Sequence, residues 1–221
     1  MTRRIRYAAA GLAAALLFCL SLSGCGDKMT TFDATAYIQG LLDETYKGTW
    51  SAGYLALVGL SKTEAVQAYA DGLDQEYARF VYQLGLNDAL LSDQTRSDAK
   101  ELLKDICLKA QYTVHDAVPL DDTRYAVDVS VRPIDLFEQV ESDDLNDYTD
   151  TFLSQYTGVT DQTARAEAWA QGMISLCRNK LNILGYGDVE HILMLVSPDD
   201  SGHYSISDND FSNLCALVLP Y

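Results

Sequence analysis

Apolar residues recur along the chain with two different periods, and the changes of period divide it into helical and extended parts. Over residues 33–46, Ile38, Leu41, Leu42 and Tyr46 fall three or four apart, the spacing of one helical face, and Lys47-Gly48 supplies a stop. A stronger helix is predicted from Ser61-Lys62-Thr63-Glu64. There the Ser61 hydroxyl can accept from the Glu64 backbone N–H and the Glu64 carboxylate can reach back, a capping box. Its apolar stripe is Val66, Tyr69, Leu73, Tyr77, Phe80, Val81 and Leu84, and Gly85 ends it. A third helix is predicted over 93–110, with Ala99, Leu102, Leu103, Ile106 and Ala110 facing inward.

The period then drops to two. Tyr112 and Val114 alternate with Thr113 and His115, and a turn is expected over 119–122. Beyond it Tyr125, Val127, Val129 and Val131 alternate with Ala126, Asp128, Ser130 and Arg132, until Pro133 ends the ladder for want of an N–H. That pattern is a hairpin with one buried face and one wet face. Helical spacing returns over 134–140, 144–156 and 161–184, with Gly158 and Gly185 as stops. A second hairpin follows: the mostly apolar run 189–196 reads as a more central strand, 198–202 as the turn, and Tyr204 with Ile206 as the return. A short helix over 209–216, capped by Asp208, closes the chain.

These elements predict an α+β fold in which helices pack on one face of a small antiparallel sheet built from two β-hairpins. The order of the strands is left open, because two hairpins can join edge to edge in more than one way. At a constant offset of 100, Thr63, Ala68, Tyr69, Ala70, Gly72 and Leu73 match Thr163, Ala168, Trp169, Ala170, Gly172 and Met173, so an internal duplication is one reading of the two halves.

The first 24 residues have a different character. Arg3, Arg4 and Arg6 precede an apolar run over 8–22 that is short for a membrane span and suited to a removable export signal. Leu22-Ser23-Gly24-Cys25 ends it, and these four residues resemble the lipobox of bacterial lipoproteins. The resemblance implies cleavage before Cys25, a covalent diacylglyceryl lipid on Cys25, and residence on the extracytoplasmic face of the cell membrane. Two acyl chains are enough for stable anchoring. The chain then divides into a signal peptide over 1–24, a short tether over 25–32 and a single α+β domain over 33–221. Eight steps from Cys25 to Asp33 reach at most about 28 Å, which holds the domain close to the bilayer.

Without the three signal arginines, 13 basic residues face 32 acidic ones, a formal charge of −19. Such a surface repels phosphate backbones, so nucleic acid is not an expected partner. Cys107, Cys177 and Cys215 remain after Cys19 and Cys25 are set aside. Each falls on or beside an apolar stripe, where a buried thiol acts as a small hydrophobe, and their spacing matches no zinc or thioredoxin-like motif.

Candidate chemistry is sparse. Ser97-Asp98-Ala99-Lys100 and Ser207-Asp208-Asn209 fit two motifs of serine β-lactamases, but no lysine follows Lys180 to complete the third. Asp208, Asp210 and Ser212 imitate the start of a calcium loop, while Asn213 and Leu219 stand where glycine and glutamate are needed. The acids Glu141, Asp143, Asp144, Asp147 and Asp150 read as a solvated helix start. His115, His191 and His203 all lie on or beside strands, and His191 and His203 flank the second hairpin, where they could approach one another. Spacing completes no ligand set, so no catalytic, cofactor-binding or metal-ligating residue is assigned; Cys25 is the one site, for lipid.

Further runs carry a second resemblance. Tyr37-Ile38, Leu41-Leu42-Asp43, Tyr46-Lys47-Gly48, Tyr69 with Gly72-Leu73-Asp74, Tyr112-Thr113-Val114 and 127–134 look like lipoproteins of Gram-positive bacteria that have no assigned activity. The resemblance implies location and fold class, and transfers no site beyond Cys25. The expected function is a membrane-anchored extracytoplasmic lipoprotein acting as a non-catalytic binding module, with the membrane as one partner and an envelope protein or small ligand as another. The alternatives are an envelope enzyme acting on wall or peptide substrates, and a purely structural lipoprotein.

Overall fold

The Thr30 hydroxyl accepts from the Asp33 backbone N–H at 3.2 Å while the Asp33 carboxylate accepts from the Thr30 N–H at 2.9 Å, and this capping box opens α1 (Thr31–Leu42). The computed structural model describes residues 28–199 and 203–221. The signal segment, Cys25 and part of the turn expected over 198–202 lie outside the described residues. Ordered structure already begins within the segment read as a tether: Met29 is 6% exposed, and its carbonyl accepts a hydrogen bond from the Tyr125 hydroxyl.

A π-helical turn, Asp43–Lys47, extends α1 and closes at Gly48, whose φ of 59° is the left-handed conformation glycine adopts freely. A short helix, α2 (Ala52–Val58), follows with Ser51 as its cap; hydrophobic spacing does not predict it. Its Tyr54 packs closely on α1 at Gly40, where an added Cβ would stand 2.1 Å from the ring. The predicted capping box of α3 (Lys62–Gln83) is present. Val66, expected inward, is 46% exposed, because Ala65, one helical step of about 100° earlier, takes the inward position. In α4 (Asp93–Cys107), Ala99, Leu102, Leu103 and Ile106 are fully buried as the spacing predicts, but the helix ends before Ala110.

The sheet comprises β1 (Gln111–Val114), β2 (Val118–Pro119), β3 (Tyr125–Arg132), β4 (Glu190–Pro198) and β5 (Tyr204–Ser205), in the order β1-β3-β4-β5 with β2 also on β3. The two hairpins therefore join through β3 and β4, antiparallel from Tyr125 opposite Val196 to Val131 opposite Glu190. Between the hairpins run α5 (Leu136–Asp143), α6 (Leu145–Tyr156) and α7 (Gln162–Leu181), and α8 (Asp208–Val218) follows β5. Val127, Val129, Val131, Met194 and Val196 point to one face, which α1 and α8 cover; α7 packs on α4 and α5 farther out. This is the expected α+β arrangement. The cap of α8 is Ser207 rather than Asp208: its extended backbone lets the hydroxyl accept from the Asp210 N–H at 3.1 Å.

The two matched segments fall in α3 and α7, but their glycines differ. Nothing stands within 4 Å of a Cβ built on Gly72, whereas one on Gly172 would meet the Tyr148 hydroxyl at 2.0 Å. Asp143 and Asp144, at the junction of α5 and α6, hold the Lys180 ammonium of α7 at 2.9 and 3.0 Å, so part of the acidic stretch is a structural clamp.

Candidate functional site

The alternation that buries the valines of β3 sends Asp128 and Ser130 to the opposite face, away from α1 and α8. On one side the β1 ladder runs one residue further, with the His115 N–H donating to the Asp128 carbonyl at 2.9 Å. On the other side His191 of β4 stands directly opposite Ser130. β3, β4 and the residue directly after β1 thus present His115, Asp128, Ser130 and His191 as one solvent-facing cluster.

The distances define its chemistry. His191 Nδ1 lies 2.9 Å from Asp128 Oδ2 and 3.5 Å from Ser130 Oγ. His115 Nε2 lies 2.6 Å from Ser130 Oγ and 3.8 Å from Asp128 Oδ2. The two imidazoles stack with centroids 6.1 Å apart and planes 16° from parallel. One ligand atom from each of His115, Asp128 and His191 lies within 4.8 Å of the other two.

A serine-histidine-aspartate relay needs a histidine that uses one ring nitrogen toward the serine and the other toward the acid. Here each histidine turns a single nitrogen toward both Ser130 and Asp128. The atoms converge on a point instead of forming a chain. Around them the face is partly apolar: Leu193, opposite Asp128, is 64% exposed, and Val118 on β2 is also exposed.

Other sequence candidates are placed elsewhere. His203, for which the spacing leaves open an approach to His191, sits 3.8 Å from Asp199, while His191 is joined by His115 across β3. Ser97 lies within α4, and the Lys100 of its motif is held 2.7 Å from Asp74 and over the ring of Tyr77. Asp208, Asp210 and Ser212 form the first turns of α8. Cys107, Cys177 and Cys215 are free thiols, and burial pushes them up to about 12, 12 and 11 respectively. A cleft of about 590 Å³ near α5 is lined by Asp135, Glu138, Glu141, Met173 and Glu190 among others. None of the described helices is long and apolar enough to cross a membrane.

The residues that sequence reasoning left unassigned are those of the cluster. Alternation in β1 and β3 marks His115, Asp128 and Ser130 as wet-face neighbours, a signal that was available. His191 stands in a mainly apolar run, and its place beside them depends on which edges of the hairpins meet.

No protein-family model and no curated protein matches the chain by sequence. In fold it is similar to the crystal structure of ycdA, a candidate lipoprotein of Bacillus subtilis, with a TM-score of 0.61 and 13% sequence identity. The likeness covers 86% of this chain and 56% of ycdA, so the chain spans little more than half the length of that protein. At this identity the likeness is one of fold.

Proposed function

We propose that this protein is a lipid-anchored lipoprotein on the extracytoplasmic face of the cell membrane, with diacylglycerol on Cys25. In this reading it is a non-catalytic binding module, and the open face of the sheet is its binding surface. The observation that carries the reading is the docking of Met29 against Tyr125, at the start of the strand that bears Asp128. Only Gly26, Asp27 and Lys28 separate Met29 from Cys25, and four steps of chain reach at most about 14 Å. A lipid on Cys25 therefore keeps the domain, by the start of β3, close to the bilayer surface. The fold shared with a candidate lipoprotein supports the same location.

The test is metabolic labelling of producing cells with an alkyne-bearing palmitate, combined with membrane fractionation and a photocrosslinking residue at Leu193 or, as control, at Val66 on α3. Wild-type protein is expected to be labelled and membrane-bound, Cys25→Ala unlabelled and released, and crosslinks to arise at Leu193 rather than Val66. Label retained in Cys25→Ala, or membrane association without label, overturns the anchor. Equal crosslinking from both positions overturns the sheet face as the binding surface.

A further inference from the structure

We infer that His115, Asp128 and His191 form a binding site for a late first-row divalent metal ion, with Zn²⁺ as its reference occupant. This deepens the reading of the sheet face as a binding surface and rests on it for location only.

Donor chemistry selects the ion. Two imidazole nitrogens and one carboxylate oxygen suit zinc and its transition-metal neighbours, whereas calcium and magnesium take sites made almost wholly of oxygen. Around a tetrahedral zinc with bonds of about 2.0 to 2.2 Å, neighbouring ligand atoms stand roughly 3.3 Å apart. His191 Nδ1 and Asp128 Oδ2 are at 2.9 Å and His115 Nε2 and Asp128 Oδ2 at 3.8 Å, bracketing that edge. All three atoms lie within 4.8 Å of one another. Closing on an ion then needs only small side-chain rotations, with no movement of the paired strands.

Placement on β3, on β4 and directly after β1 makes the site rigid. His115 is held by its N–H to the Asp128 carbonyl, and His191 by its register opposite Ser130. A site on strands is positioned more precisely than one on loops. The third element is the convergence itself: each histidine directs one nitrogen at both Asp128 and Ser130, which serves an ion at the centre better than it serves a proton relay.

Three protein ligands leave a coordination position open. Ser130 Oγ, 2.6 Å from His115 Nε2 and 3.5 Å from His191 Nδ1, is set to hold a water or an incoming ligand atom at that position. The site is exposed, with His191 60% and Asp128 40% accessible in their side chains, so the ion exchanges with solvent instead of being sealed in the core. A formal charge of −19 on the chain beyond residue 24 draws cations toward it.

The experiment is isothermal titration of ZnCl₂ into full-length protein purified in detergent, with Ca²⁺ in excess to occupy diffuse acidic sites. One equivalent is expected to bind with a micromolar dissociation constant and to raise the thermal midpoint. His115→Gln, His191→Gln and Asp128→Asn should each weaken binding by more than about tenfold, since even outer partners of a metal cost 10- to 100-fold. His203→Gln should bind as wild type. Ser130→Ala should keep stoichiometric binding with a smaller loss. Absence of a saturable site, or affinity unchanged in the histidine variants, overturns the inference. Where a variant does not fold, zinc X-ray absorption of the wild-type protein decides: two imidazoles in the coordination shell support the site, none refutes it. Cys25→Ala is expected to bind zinc normally, so loss of the anchor and loss of the metal site are separate results.

Discussion

Asp128 Oδ2 stands 2.9 Å from His191 Nδ1, although the two residues are not opposite one another in the ladder: Asp128 faces Leu193, and His191 faces Ser130. The contact is a diagonal one across β3 and β4, within reach because side chains on one face of paired strands are near neighbours. Both groups are well exposed, so the pair contributes little to stability. Asp128→Asn is expected to change the unfolding free energy of the metal-free protein by less than about 1 kcal/mol, as urea titration would read it. A larger loss would make the cluster structural.

Gly172 and Gly72 occupy matched positions in α7 and α3 but should respond in opposite ways to alanine. The Tyr148 hydroxyl donates toward the Ala168 and Trp169 carbonyls at 3.1 and 3.2 Å, in the space where a Gly172 Cβ would go. Gly172→Ala must displace that ring and is expected to cost about 1–3 kcal/mol. Gly72→Ala meets open space in a helix interior and should gain about 0.5–1 kcal/mol by restricting the unfolded chain. Paired denaturant unfolding curves check both.

Glu167 of α7 ties down the start of α4. It accepts from the Ser92 hydroxyl at 2.6 Å, the Thr95 hydroxyl at 2.5 Å and the Ser92 backbone N–H at 3.0 Å. The Ser92 and Thr95 hydroxyls hold its carboxyl below the usual range. Its contribution is thus present above the unfolded value and is lost as pH falls through the folded one. Glu167→Ala leaves the buried Thr95 hydroxyl without this partner and is expected to cost about 1–3 kcal/mol at pH 7, measured by chemical unfolding. The deficit should shrink on acidification.

Glu44 carries the opposite sign. It is buried, and desolvation raises its pKa even though the Tyr54 hydroxyl donates to it at 2.7 Å. A raised folded value means that the protonated form is favoured in the fold, so this stability is complete below the unfolded value near pH 4.5 and is lost as pH rises through the folded value. Glu44→Gln keeps an acceptor for Tyr54 without the buried charge. It is expected to be more stable than wild type at pH 8 and to flatten the fall in unfolding free energy as pH rises above the unfolded value. An unaltered slope would assign that fall elsewhere.

The three free thiols, Cys107 and Cys177 buried and Cys215 half-buried, should be inert in the folded protein. With Cys107 and Cys177 pushed up to about 12 and Cys215 to about 11 by burial, little thiolate is present at pH 8. N-ethylmaleimide followed by mass spectrometry is expected to leave all three unmodified in buffer and to modify all three in urea. Rapid native labelling of any one would show that its element opens locally.

Much of the architecture is readable from period and punctuation alone. The Ser61 and Glu64 capping box, the inward face of α4, and the alternation that buries Val127, Val129 and Val131 while exposing Asp128 and Ser130 are all local properties, decided by side chains within a few residues. Local signals are weaker where packing sets the outcome. The short α2 exists because Tyr54 finds the bare backbone of Gly40, and Val66 turns outward because the helix phase favours Ala65.

By itself, then, the sequence determined most of the helices, the two hairpins and the faces of β1 and β3, because periodicity and caps act over a few bonds. Which hairpin edges meet was decided only by the tertiary structure. Joining β3 to β4 in one register brings His191 to Asp128, 63 residues away, and so beside His115, which the first hairpin already sets next to Asp128, while His203 goes to Asp199. Periodicity encodes a direction and not a neighbour, and the neighbour follows from how the buried faces of all the strands share one core under α1 and α8.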